Sequence, residues 1–373
     1  MSEIRKNTAP RNSSIELLRI LSMVMIVFHH FAVHGGFVWT SESNLIARLW
    51  YNFILMGGKV GVNVFVLISG YYLTRSKDEF FRLSRVFKFW AQVFFYSIVL
   101  LGVSWLTGFA SFSLTDTVKS LLPITYTKWW FASTYFVLYL FHPFLNKLLC
   151  NLSKSSYQKL LILLVVCWSL IPTFTKSAFE SNSLVWFATL YAIAGYIRLY
   201  GLSPKFTTRF YFVLFLISSL LTYLSSVAFL VLERFSSIFQ NTSTYFYGQE
   251  KITILAVSLS LFMLFEGLKM PYIKWVNLIG SATFGVYLIH DNPLMRQILW
   301  FDLFKNASYQ NSLWLIPYSI VVSLAVFLFG VLIDLARQYL LEKPLMMLTT
   351  PILDKKRSAP KLLWRLHEFI FGK

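Results

Sequence analysis

Of the 373 residues, 57% are hydrophobic and only 13% charged, roughly half the charged share of an ordinary soluble domain, which excludes a water-soluble globular protein. The net charge of +18 would suit nucleic acid in a soluble chain. Here the basic residues sit mostly in short loops between apolar runs, where bilayer orientation and anionic lipid account for them, and no nucleic-acid partner is expected.

Apolar runs of about 20 residues recur along nearly the whole length, each long enough to cross a hydrocarbon core. Ten spans are read in chain order: Ile15–Val33, Tyr51–Leu73, Phe89–Phe109, Trp129–Leu149, Leu160–Phe174, Leu184–Tyr200, Phe210–Leu232, Ile252–Leu268, Trp275–His290 and Ser312–Ala336. They predict an all-α polytopic membrane helix bundle. The first span exceeds a signal-peptide core, lacks a cleavage site and is read as a retained anchor. With the N-terminus in the cytoplasm, 24 of the 34 Lys and Arg fall on inner segments. Nine fall on outer ones, Arg48, Lys59 and Lys128 among them, and Arg19 lies inside a span. That bias predicts both termini inside. Residues 1–14 then form a cytoplasmic segment, 15–338 the membrane domain and 339–373 a basic tail. The tail's "KLLWRLHEFIFGK" reads as an interfacial helix on anionic lipid. Cys150 and Cys167 suggest neither a disulfide framework nor a metal site.

The first span contains "RILSMVMIVFHHF", Arg19 to Phe31. A charge at bilayer depth costs on the order of 3 kcal/mol or more, so such residues face protein or water rather than lipid. Arg19 and His30, eleven residues apart, fall within ~20° of one face and roughly 16 Å apart along a helix axis. His29 points ~100° away, and Glu16 is one turn before Arg19. Three other readings stay open for these residues: Arg19 snorkelling to headgroups while His30 bonds a neighbouring helix, a metal pair of His30 with His34, and a haem held between His30 and His290. No metal is expected, because no carboxylate or thiol lies near His30 and His34 in sequence.

The second span, "GGKVGVNVFVLISGYYL", carries four glycines with Asn63 and Ser69. Glycine permits close helix approach or lines a cavity. After it comes "RSKDEFFRLSRVFKF", where Arg82 and Arg85 are three apart and share a helix face. They suit either topology and anionic lipid or bidentate recognition of phosphate. Trp129 and Trp130 open the fourth span, by default as interfacial anchors. Late in the chain "GSATFGVYLIHDNP" places Ser281, Tyr287 and His290 in one segment, with Asp291 beside the histidine.

Together these motifs resemble the acyltransferase-3 family of integral membrane acyltransferases. That family carries an arginine and, eleven positions later, a histidine on its first span, as Arg19 and His30 do. "GVNVFVLISGYYL", the basic loop through Arg82 and Arg85, the tryptophan-opened fourth span and "FGVYLIH" are similar too, in order along nearly the whole chain. Asn63 departs from the family's frequent Asp. No fused hydrolase-like domain, of the kind some members carry, is expected from these 373 residues. The resemblance implies an enzyme of the bacterial plasma membrane. It would move an acyl group, commonly acetyl, from cytosolic acyl-CoA to a hydroxyl of a cell-envelope polysaccharide or its lipid-linked precursor. His30 would be the base or an acyl-carrying nucleophile. Arg19 would act on the donor side, Arg82 and Arg85 on coenzyme A phosphates. Asn63, Ser69, Trp129, Trp130, Tyr287 and His290 would line the substrate cavity. A glycan transporter or flippase would share the spans and the basic bias, although no internal repeat of the transporter kind is visible.

Overall fold

The computed structural model describes residues 12–40, 43–74 and 81–355, and every regular element among them is helical. In chain order these are α1 (Ser13–Val33), α2 (Leu45–Leu73), α3 (Leu83–Leu106), a short α4 (Leu114–Leu121) and α5 (Trp130–Cys150). Then come α6 (Lys154–Val165), which continues through a π-turn into α7 (Ile171–Thr175), α8 (Ser183–Tyr200) and α9 (Thr208–Leu232). The last are α10 (Ile252–Glu266), α11 (Lys274–His290), a one-turn α12 (Pro293–Arg296), α13 (Leu315–Arg337) and α14 (Lys343–Lys355).

All ten predicted spans are helical. Among the described residues, seven helical stretches are long and apolar enough to cross a membrane: α1, α2, α3, α6 with α7, α8, α9, and α13 running on through α14. The apolar α10 is shorter, at 15 residues. The predicted tail segment from Lys361 onward lies outside the described residues, as do Arg75 and Lys77. Residues 339–355, read as the start of the tail, are helical, first as a π-turn and then as α14.

Local chemistry sets the starts of the first two helices. Asn12 accepts the Ser14 amide at 3.0 Å, and Asn44 accepts the Ala47 amide at 3.0 Å. These side chains satisfy amides that the first helical turn leaves unpaired. Because Asn44 caps it, α2 begins six residues before the predicted start. Lys59, counted above with the outer segments although the predicted span Tyr51–Leu73 contains it, sits in the middle of a 29-residue helix.

At the centre of the bundle α1 packs on α2, α10, α11 and α13, and α2 packs on α8 and α10. Two of the glycines in the second span make the α1–α2 approach possible. A Cβ at Gly61 would lie 2.6 Å from the Ser22 carbonyl oxygen, and one at Gly58 would overlap the His29 ring. The periphery is apolar and open, as with Leu220 and Leu221 on α9 and Val321, Phe329 and Leu332 on α13, the surface a bilayer covers.

One polar knot locks the C-terminal end of the bundle. Asp334, fully buried on α13, accepts hydrogen bonds from Tyr96 (2.8 Å), Gln92 (3.2 Å), Gln338 (2.8 Å) and Arg337 (2.7 Å). A buried carboxylate is tolerable only when donors surround it in this way.

Candidate active site

Between α1, α2, α3, α5 and α11 lies a cavity of about 250 Å³. Arg19 lines it on α1 three turns before His30, and Trp130 and Tyr287 line it from α5 and α11. Much of the wall between is apolar, including Ile26, Val62, Phe65, Phe89 and Phe284. The polar stripe expected on the first span thus faces a protein-lined space. Arg19 is held by Glu16, one turn earlier, at 3.9 Å.

Hydrogen bonds assign the proton positions on the histidines. His290 Nδ1 lies 2.6 Å from the Val286 carbonyl. A carbonyl only accepts, so Nδ1 carries the proton and Nε2 is left as an acceptor. His30 Nδ1, 2.9 Å from that Nε2, donates to it. The neutral His30 ring therefore keeps its lone pair on Nε2, 3.5 Å from Asp291 Oδ1. Asp291 is fully buried. The same Oδ1 accepts Arg296 through Nε at 2.9 Å and Nη2 at 2.8 Å, and lies 3.4 Å from His34 Nε2. A proton on His30 Nε2 would lie close to the Asp291 carboxylate, and an opposite charge at that distance favours the protonated ring.

His29 is anchored separately. Its Nδ1 donates to the Leu55 carbonyl at 2.7 Å, and its ring rests on Gly58. Lys59 projects into the same space, with Nζ 5.2 Å from the centre of the Trp130 ring, within cation–π reach.

The predicted site residues divide. Arg19, His30, Ser69, Trp130 and Tyr287 line the cavity, and His290 joins it through His30. The Tyr287 hydroxyl is buried with no hydrogen-bond partner among the described residues. Ser69 donates to the Phe65 carbonyl at 2.9 Å. Asn63 and Trp129 are not among the lining residues. The Asn63 amide donates to the Gln249 carbonyl at 2.8 Å and accepts Trp186 Nε1 at 3.0 Å, tying α2 to α8 and to the segment before α10. Trp129 is fully buried, with Lys128 Nζ 5.6 Å from the centre of its ring. Arg82 and Arg85 are exposed at the start of α3. Arg85 is one turn before the cavity-lining Phe89 and on its side of the helix.

Among the described residues, one group could hold a metal ion: His30, His34 and Asp291, whose ligand atoms lie within 4.8 Å of one another. Only folding supplies the carboxylate that the sequence around His30 and His34 lacks, and Arg296 already occupies its Oδ1. Between His30 and His290 the 2.9 Å contact is too short for a bridging ion, which needs about 4 Å between nitrogens at ~2 Å per bond. That contact removes the haem reading of the pair. Lys59 and Arg296 were passed over in the sequence. The visible signal for Lys59 is a single cation inside a long apolar run; Arg296 gives none.

No curated protein and no solved structure matches the chain. The family model described as an acyltransferase domain, that of acyltransferase-3 proteins, matches residues 12–335. That stretch contains α1 with its arginine and histidines and runs past the Asp291 cluster into α13, so the chain belongs to the acyltransferase-3 family of membrane acyltransferases.

Proposed function

We propose that this acyltransferase moves an acyl group, acetyl in the first instance, from acyl-CoA to a hydroxyl of a cell-envelope polysaccharide or its lipid-linked precursor. It would sit in a bacterial plasma membrane with both termini inside, placing the Arg19 end of the cavity toward the cytosolic donor. The observation that carries the reading is one cavity with Arg19 toward one end and His30, backed by Asp291, further along. Its volume is small for a whole coenzyme A and its apolar wall suits the pantetheine arm. The nucleotide phosphates would stay at the mouth, within the field of Arg82 and Arg85 and available to bidentate guanidinium bonds.

A sugar hydroxyl becomes a competent nucleophile once its proton is withdrawn. His30 Nε2 takes that proton, and Asp291 stabilises the resulting imidazolium. The hydroxyl oxygen attacks the thioester carbonyl, the tetrahedral adduct collapses, and the departing thiolate recovers the proton from His30. In the alternative order His30 Nε2 first attacks the thioester and carries the acyl group as an acyl-imidazole. Trapping acylated enzyme from donor alone separates the two.

The test is coenzyme A release from acetyl-CoA by the purified protein in proteoliposomes with extracted envelope polysaccharide, wild type beside His30→Ala. Release that needs His30 supports the proposal. Movement of the glycan across the bilayer with no release would overturn it in favour of a flippase.

A further inference from the structure

A second cavity, about 640 Å³, lies at the other end of α1. Phe37, Trp39, Arg48 and Tyr51 help to line it. The Phe37 and Trp39 rings are stacked 5.7 Å apart with 4° between their planes, and Tyr51 meets both edge-on at 5.3 and 5.1 Å. Flat aromatic faces beside polar side chains suit a molecule with apolar ring faces and many hydroxyls. Two residues line both this cavity and the one containing Arg19 and His30: His29 and Lys59.

His29 is built for a contact there. Its Nδ1 proton is committed to the Leu55 carbonyl, so the lone pair is on Nε2. Among the described residues Nε2 has no hydrogen-bond partner. Its ring centre lies 5.5 Å from that of His30, so a molecule held by His29 is within reach of His30. Gly58 provides the space for the ring, since any side chain there would collide with it.

We infer that the two cavities meet at a neck walled by His29 and Lys59. There His29 Nε2 accepts a hydrogen bond from a polyhydroxylated acceptor, and Lys59 donates to one of its oxygens, while the reacting hydroxyl passes on to His30. This assignment rests on the acyl-transfer reading for its chemistry, but the neck itself does not. No new covalent step is added: the proton still leaves the hydroxyl for His30 Nε2.

The neck is tested by thiol labelling. In a Cys150→Ser, Cys167→Ser background, His29→Cys and Lys59→Cys are each exposed in proteoliposomes to a membrane-impermeant sulfonatoethyl methanethiosulfonate, added from one face or the other. Phe31→Cys, at a fully buried position lining neither cavity, is the control. Expected is modification of both cysteines from both faces, at least tenfold faster than at position 31. Coenzyme A should slow it from one face only. Access from a single face, or from neither, overturns the neck. If one cysteine variant fails to insert, the other gives the same readout.

The contact is tested with His29→Asn, whose side-chain amide can still donate to the Leu55 carbonyl. With extracted envelope polysaccharide as acceptor, its KM for polysaccharide should rise at least tenfold, with the KM for acetyl-CoA unchanged. His29→Gln, which restores an acceptor near Nε2, should recover part of the loss. An unchanged KM for polysaccharide, or an equal rise for both substrates, overturns the contact. Wild-type protein that releases no coenzyme A would instead sink the acyl-transfer reading, and the labelling result would still stand.

Discussion

His30 Nδ1 lies 2.9 Å from His290 Nε2 across 260 residues of chain. The Val286 carbonyl, 2.6 Å from His290 Nδ1, fixes which way that bond runs. The lone pair on His30 is thereby directed to Nε2 by a residue on another helix that is not itself among the cavity-lining residues.

Removing that constraint should impair chemistry without impairing binding. His290→Phe keeps the bulk and deletes the acceptor, freeing His30 to take the other tautomer. A fall in kcat of about 10²-fold is expected, within the usual range for losing acid–base alignment, with the KM for acetyl-CoA unchanged. Steady-state kinetics in detergent micelles measure both. His30→Ala should lose at least that much while still inserting.

Arg82 and Arg85 stand exposed at the start of α3, where each would contribute only charge-assisted bonds to a phosphate. The Arg82→Ala, Arg85→Ala double variant should raise the KM for acetyl-CoA about tenfold, the equivalent of roughly 1.4 kcal/mol. Its kcat at saturating donor should stay within about twofold. The effect should weaken as salt is raised, because exposed charges are screened. An unaltered donor KM would return both arginines to topology and lipid.

Zinc offers a probe of the cluster at His30, His34 and Asp291, whose ligand atoms lie within 4.8 Å of one another. Added micromolar Zn²⁺ should inhibit by capturing His30 Nε2. His34→Ala should weaken that inhibition at least tenfold, and EDTA should leave the activity of untreated enzyme unchanged. Loss of activity on chelation would mean that the cluster works with a metal.

Lys128, in the loop before α5, gives a pH signature. Burial pushes its ammonium down to about 8, against a smaller opposing pull from Asp116. Its Nζ donates to Ser97 at 3.1 Å and to Ser120 at 2.7 Å. A lysine whose folded value lies below its unfolded one destabilises the fold while charged. That penalty is full below pH 8 and fades as pH rises toward the unfolded value of about 10.4. The melting temperature of the wild type relative to Lys128→Met should therefore climb between pH 8 and pH 10 and stay flat below pH 7. Thermal unfolding by tryptophan fluorescence at a series of pH values reads this directly.

The chain's own pattern was sufficient for the helices. Runs of about 20 apolar residues have one stable solution in lipid, because backbone groups there must bond within their own segment. The Arg19–His30 stripe was legible for the same reason: 11 residues return to one helix face, and charge avoids lipid. Helix starts were less so. The Asn44 cap carried α2 back to Leu45, six residues before the predicted start, and a cap is a local hydrogen bond that hydropathy does not register.

Which neighbours each polar residue met was decided only by folding. Asn63 looked like a cavity residue and became a tie between helices, since one rotation step along α2 separates it from the lining Val62. Asp291 followed His290 in sequence but faces His30 and His34 only because α11 packs on α1, while Arg296 reaches it from five residues on. The Asp334 knot and the shared position of His29 and Lys59 between two cavities are likewise absent from any single segment. Periodicity reports the face on which a residue sits; what stands opposite that face depends on contacts across hundreds of residues.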